Sequence, residues 1–101
     1  MNSHFQKQAD HRQQAQIQSF YEPTLRLLSE VYEIKKGNLR SKGYDEKNAA
    51  VTRIELSQKM ASRFRITIWL AEQVISSLVK AGRVETLGGY IKPKGVLSEN
   101  L

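Results

Sequence analysis

The sequence predicts a mainly α-helical fold with a small β-hairpin, an α+β arrangement. Three observations predict it: an apolar stripe at helical spacing over 68–81, a second apolar face over 23–36, and two short strand-like segments around a Gly-Gly pair. The 101 residues suit a single domain with short appendages. We place that domain at 21–94, between an N-terminal arm or helix at 1–20 and a tail at 95–101.

The N-terminal arm is rich in glutamine and poor in apolar residues. Six glutamines lie between Asn2 and Phe20, and four apolar residues form a thin stripe at near-helical spacing: Phe5, Ala9, Ile17 and Phe20. Such a stripe cannot bury much surface alone. Two alternatives stay open, a frayed terminus or an arm that becomes helical by packing on a second subunit.

The second element is a helix with a broad apolar face. Pro23 suits the first turn, and the face consists of Leu25, Leu27, Leu28, Val31, Tyr32 and Ile34. Gly37 is expected to end this helix after two lysines that favour its negative end. Residues 37–50 lack periodicity, and we expect a long connection that is either mobile or functional.

The next segment predicts a strand, a helix and a tight turn. Val51 to Glu55 favours a short strand, although Thr52 and Glu55 also have the spacing of a capping box that would open a helix. A short helix is expected over 57–64. Arg65 to Thr67 then forms the turn, and Thr67 is suited to cap the following helix.

The clearest element is the amphipathic helix over 68–81. Its inner side is predicted to contain Leu70, Ala71, Val74, Ile75, Leu78 and Ala81. Its outer side is predicted to contain Trp69, Glu72, Gln73, Ser76 and Lys80. Gly82 ends the helix, and strands at 83–87 and 90–92 follow, joined by Gly88 and Gly89 as a two-residue hairpin turn.

This order of elements predicts a winged helix-turn-helix preceded by an N-terminal helix or arm. In that plan the second helix of the turn unit enters the major groove and the hairpin touches the flanking DNA backbone. A helix about 10–12 Å wide fits the major groove.

A resemblance supports this plan. The stretch Met60 to Tyr90, MASRFRITIWLAEQVISSLVKAGRVETLGGY, resembles winged-helix bacterial transcriptional regulators, and its LAEQVISSLVKAGRVE and GGY portions are similar to the iron–sulfur-type winged-helix repressors. Those repressors hold a cluster with cysteines beyond the wing and continue into a long dimerisation helix. This chain has no cysteine and about ten residues after the wing. The resemblance therefore implies a DNA-binding architecture without the cluster sensor.

Charge favours a polyanionic partner. The formal net charge is +6, and most of the excess lies in the second half of the chain. We expect a sequence-specific protein that binds double-stranded DNA, a small transcriptional regulator of bacterial, plasmid or phage origin, acting as a homodimer on two half-sites. The residues expected to position the DNA backbone are Arg63, Arg65, Thr67, Lys92 and Lys94. Those expected to meet bases or sugars are Trp69, Gln73, Ser76 and Lys80.

Other classes have less support. A protein–protein adaptor that uses the outward face around Trp69 is the alternative, because a winged helix can serve either role. His4 and His11 lack a third ligand for a metal site, and the sequence shows no pairing of nucleophile and base. We therefore expect no enzyme activity, no cofactor and no metal. The absence of a long apolar run predicts a cytoplasmic, nucleoid-associated protein with no membrane partner.

Overall fold

The structure, a computed structural model, describes residues 3–95, with side chains from residue 11 onward. The described part of the chain contains four α-helices, one 3-10 turn and three short strands. In chain order these are α1 (Ser3–Ser19), α2 (Tyr21–Ser41), the 3-10 turn (Glu46–Asn48), β1 (Val51–Thr52), α3 (Arg53–Phe64), α4 (Ile68–Lys80), β2 (Val84–Leu87) and β3 (Tyr90–Pro93). The predicted tail beyond Gly95 lies outside the described residues.

The three strands form one antiparallel sheet in the order β1-β3-β2. Val51 pairs with Ile91 in β1 and β3, and Leu87 pairs with Tyr90 across the hairpin turn. Side chains alternate between the two faces of a strand, so Val51 and Ile91 point into the core while Tyr90 points outward. Gly88 has a φ of 63°, the left-handed conformation that the predicted Gly-Gly turn requires at its first position.

The core lies where α2, α3 and α4 meet the inner face of the sheet. Its fully buried side chains include Leu28, Leu56, Met60, Ile75, Leu78 and Ile91. The predicted fold class is confirmed: the chain is mainly helical with a small antiparallel sheet, consistent with a winged-helix arrangement. None of the described helices has the length and apolar content needed to cross a membrane.

Helix α2 is longer than predicted. Gly37 does not end it, and the helix continues to Ser41. Gly43, two residues after the last helical residue, terminates the helix: it has a φ of 78° and donates its N–H to Arg40 O over 3.0 Å, while Tyr44 N donates to Leu39 O over 2.9 Å. These two bonds form a Schellman motif, which satisfies carbonyl groups at the helix end. The predicted connection over 37–50 is correspondingly shorter and contains the 3-10 turn.

The predicted strand from Val51 to Glu55 is wrong beyond its first two residues. Thr52 Oγ1 accepts the N–H of Glu55 over 3.0 Å, so Thr52 is the N-cap of α3 and the helix begins at Arg53 rather than at residue 57. The Glu55 carboxylate binds Lys35 Nζ at 2.9 Å instead of returning to the cap. The capping alternative was therefore correct, and a two-residue strand fits in front of it.

Helix α1 packs against its own chain. Ile17 is only 6% exposed and is part of the core cluster, and the Phe20 ring lies 5.7 Å from the Phe64 ring at the end of α3. The structure gives the arm as a helix over Ser3–Ser19. Packing on a second subunit stays a prediction.

Candidate nucleic-acid interface

The outer face of α4 is open to solvent, as the sequence predicts. Trp69 is 54% exposed, Glu72 and Lys80 are exposed, and Gln73 and Ser76 are half-buried. The predicted inner residues are buried, except Ala81, which follows the last helical turn as its C-cap and is exposed. The helix thus buries one side and presents the other, as groove insertion requires.

The turn before α4 places two predicted site residues. Thr67 Oγ1 accepts the N–H of Leu70 over 3.0 Å, which confirms the predicted cap. Arg65 occupies the left-handed region with a φ of 56°, and this conformation makes the sharp turn between α3 and α4. The Arg65 side chain is exposed at the start of α4.

Arg63 lies apart from the other predicted residues. Its Nη2 atom donates to Glu30 Oε2 on α2 over 2.7 Å. The two side chains line a cleft that also includes Pro23, Leu27 and Phe64 but no residue of α4. Arg63 is therefore on the α2 side of α3, where its charge is already compensated, and the structure does not bring it to the outer face of α4.

The two predicted lysines of the wing region occupy different positions. Lys92 on β3 lies directly opposite Glu85 on β2 in the strand register. Lys94 follows the strand, and its Nζ lies 4.0 Å from the position that a Cβ on Gly82 would take. Lys94 is thus near the carboxyl end of α4, the end that also carries Lys80, where helix carbonyl groups favour cations.

Arg53 belongs to this surface, although the sequence analysis did not assign it a contact. Its Nη2 atom donates to Ser76 Oγ on α4 over 3.1 Å, and its backbone N–H donates to Gly89 O at the hairpin tip over 3.1 Å. Arg53 therefore joins α3 to α4 and to the hairpin formed by β2 and β3, which corresponds to the predicted wing. The sequence did not predict this role, because it placed Arg53 inside a strand rather than at the start of α3.

A second feature that the sequence did not reveal is a cleft of about 400 Å³ between α1 and α4. One wall includes Gln14 and Gln18 of α1, and the other includes Gln73, Ser76 and Lys80 of α4. Tyr21 Oη and Ser77 Oγ form a hydrogen bond at its base. The carboxyl-terminal half of the α4 outer face therefore has α1 as its neighbour.

Five of the fifteen basic residues with described side chains form ion pairs, and ten do not: the five around α4 and the hairpin, and Arg12, Arg26, Lys42, Lys47 and Lys59. Each of the five ion pairs in the described part of the chain has at least one partner on α2, and the bases involved are Lys35, Lys36, Arg40, Arg63 and Arg83. Among the described side chains, no carboxylate pairs with the bases around α4 and the wing: Arg53, Arg65, Lys80, Lys92 and Lys94. The uncompensated positive charge of this region therefore flanks the outer face of α4.

The described side chains contain no candidate metal site, since no group of three or more His, Asp or Glu residues comes together among them.

The fold and this surface define a small α+β protein with a helix-turn-helix and a short hairpin, consistent with a winged-helix arrangement. Comparison of the chain with protein-family models, curated proteins and solved structures found no match.

Proposed function

We propose that this protein binds double-stranded DNA with α4 in the major groove and acts as a small transcriptional regulator in the bacterial cytoplasm. The carrying observation is the two-sided α4: its inner side chains are buried, Trp69, Glu72 and Lys80 on its outer side are exposed, and among the described side chains no carboxylate pairs with the bases around it. Such a helix can enter a groove while nearby cations meet phosphates on either side.

Four outer residues of α4 have a defined role in this proposal. The Gln73 amide can bond to both N6 and N7 of an adenine, and Trp69 can contact a thymine methyl or a sugar. Lys80, expected from the sequence to meet a base or sugar, lies at the far end of the helix and in this proposal meets a phosphate. Glu72 is the acidic member, and it disfavours phosphate but can accept from a cytosine amino group.

A salt titration tests the proposal. Wild-type protein should bind a labelled duplex with log K falling linearly as log salt rises, by about 0.9 for each phosphate contact. Lys80→Gln should weaken binding and reduce that slope by about 0.9, because it removes one contact. Lys47→Gln is the matched control: it removes the same charge from the 3-10 turn beside α2 and should change neither quantity.

Trp69 supplies an independent measurement, because it is the single tryptophan of the chain. Selective excitation should show its emission quenched when DNA is added, and iodide should lose access to it. If wild-type protein shows no salt-dependent affinity at ~50 mM salt and Trp69 stays accessible, the DNA proposal fails. If the protein does bind, duplexes selected from a library by the protein allow the ratio of specific to non-specific affinity to be measured.

Two copies on two half-sites belong to the same proposal, since a single small domain makes few base contacts. Selected duplexes should contain inverted repeats whose centres lie about 10–10.5 base pairs apart, or a multiple of this. Sedimentation of the complex should give two chains for each duplex. One chain for each duplex would contradict the homodimer.

A second candidate function, a protein adaptor, is favoured by an apolar surface at the amino-terminal half of α4. Ile68 is 43% exposed beside Trp69, and Ile54 of α3, 67% exposed, lines a cleft with Glu72 and Gln73 one turn further along. Exposed aromatic and aliphatic side chains of this kind are typical of interface hot spots. A photo-crosslinking residue at position 69 would distinguish the two candidates: crosslinks to DNA support the first, and crosslinks to one protein, lost in Ile54→Asp, support the second.

A further inference from the structure

The cleft between α1 and α4 has an unusual composition for the space between two packed helices. Among the described side chains of α1, Ile17 is the buried apolar contact, while the hydrogen bond between Tyr21 Oη and Ser77 Oγ joins the start of α2 to α4. The remaining walls are largely polar, with Gln14 and Gln18 facing the α4 residues. A helix that packs only to build a core would bury more apolar side chains.

The side chains of the walls suit an anion, and the Lys80 ammonium offsets the negative end of α4 at which the cleft lies. Amide groups, hydroxyl groups and the Lys80 ammonium line the cleft, and among the side chains that the structure describes no aspartate or glutamate does. Amides and hydroxyls donate hydrogen bonds, and the ammonium supplies a positive charge without a carboxylate partner among the described side chains. An oxyanion with several acceptor atoms, such as a phosphodiester, can use all of these donors.

The position of the cleft beside the outer face of α4 indicates which molecule would supply that anion. Gln73, Ser76 and Lys80 belong both to the cleft and to the outer face of α4. A duplex with α4 in its major groove therefore brings one of its backbone strands to the opening of the cleft. Helix α1, with 17 residues and a length of about 25 Å, forms the opposite wall of the cleft through Gln14 and Gln18.

We propose that this cleft holds a backbone phosphate of the bound duplex, with Gln14 and Gln18 donating to it, so that α1 is a second DNA-contacting helix. The inference rests on the proposed DNA-binding function and adds a specific contact to it. The amide groups of α1 and the Lys80 ammonium of α4 then approach the same phosphate from two sides. Helix α1 consequently adds affinity and lengthens the DNA footprint beyond that of α4 and the wing.

Two charge-matched variants test the contact. Gln18→Glu places a carboxylate in the cleft and should weaken duplex binding roughly tenfold at low salt, because like charges then lie within a few ångströms of each other. Gln16→Glu makes the same change in the same last turn of α1, but Gln16 is exposed and does not line the cleft. It should bind within about twofold of wild type, since its distance from the phosphate leaves the charge largely screened. Circular dichroism and thermal melting of both variants show whether each still folds.

A scan of the duplex with neutral methylphosphonates identifies the phosphate. At the contacted position the neutral linkage should weaken wild-type binding and remove the difference between Gln18→Glu and Gln16→Glu. If no position in the scan removes that difference, the contact is overturned.

The remaining outcomes separate the inference from the function. Equal affinities for Gln18→Glu and Gln16→Glu, with Lys80→Gln still weakened, would overturn the cleft contact and leave DNA binding by α4 intact. Tighter binding by Gln18→Glu would show that α1 covers α4 rather than assisting it, which also overturns the inference. An absence of any salt-dependent affinity in wild-type protein would overturn the proposed function itself, and the cleft contact with it.

Discussion

Arg53 Nη2 donates to Ser76 Oγ over 3.1 Å and so connects the first residue of α3 to the outer side of α4. The same residue donates its backbone N–H to Gly89 O at the hairpin tip. One arginine thus sets the spacing between the helix and the wing that the proposed DNA surface requires. Its guanidinium has further N–H groups available for a phosphate.

Replacing Arg53 should therefore affect DNA binding more than replacing its partner. Arg53→Gln removes the charge and should lower both the affinity and the salt slope, the slope by about 0.9. Ser76→Ala removes only the acceptor and should leave the slope unchanged, at a cost in unfolding free energy of about 1 kcal/mol. Salt titrations and urea denaturation of the two variants provide the measurements. Equal slopes in Arg53→Gln and wild type would assign Arg53 a structural role alone.

Arg65 and Arg63 should differ in DNA binding although they are two residues apart. Arg63 is already paired with Glu30, whereas Arg65 is exposed beside α4 without a carboxylate partner among the described side chains. Arg65→Asn removes the charge while tolerating the left-handed backbone, and it should reduce the salt slope by about 0.9. Arg63→Gln should change the slope by much less. A larger reduction of the salt slope by Arg63→Gln than by Arg65→Asn would contradict the placement of the interface beside α4.

The two glycines of the α2 region should respond in opposite directions to the same substitution. Gly37 lies inside the helix, and a Cβ there meets Arg40 Nη2 at 3.8 Å, an ordinary contact, so Gly37→Ala should stabilise the protein by about 0.5–1 kcal/mol. Gly43 has a φ of 78°, so Gly43→Ala should destabilise it by about 1 kcal/mol. Urea denaturation measures both. Destabilisation by Gly37→Ala would place the helix end at Gly37 after all.

Leu78 and Leu87 offer a matched pair for the core. Leu78 is fully buried on the inner side of α4, and Leu78→Ala should reduce the unfolding free energy by about 2–5 kcal/mol through lost burial and a cavity. Leu87 is 65% exposed near the hairpin tip, and Leu87→Ala should change the unfolding free energy by less than about 0.5 kcal/mol. Thermal melting of the two variants checks the difference. A similar loss of unfolding free energy in both variants would mean that Leu87 at the hairpin tip is buried rather than exposed.

The pattern of the sequence determined the elements whose signals are local. The two-sided stripe of α4, the cap at Thr67 and the hairpin at Gly88 depend on residues within a few positions of one another, so period and turn chemistry predict them. Local signals also produced the errors. Gly37 and Gly43 are both plausible helix ends, and Thr52 suits both a strand and a cap.

Tertiary structure decided between such alternatives and assembled the site. Leu39 packs against the core, which favours the extra helical turn past Gly37. Strand β1 is limited to two residues because its partner β3 begins at Tyr90, opposite Thr52. The contacts that shape the proposed surface join residues far apart in sequence: Arg53 with Ser76, Arg63 with Glu30, and Tyr21 with Ser77, separated by 23, 33 and 56 positions. No period along the chain encodes such pairs, because they exist only once packing has set the helices side by side.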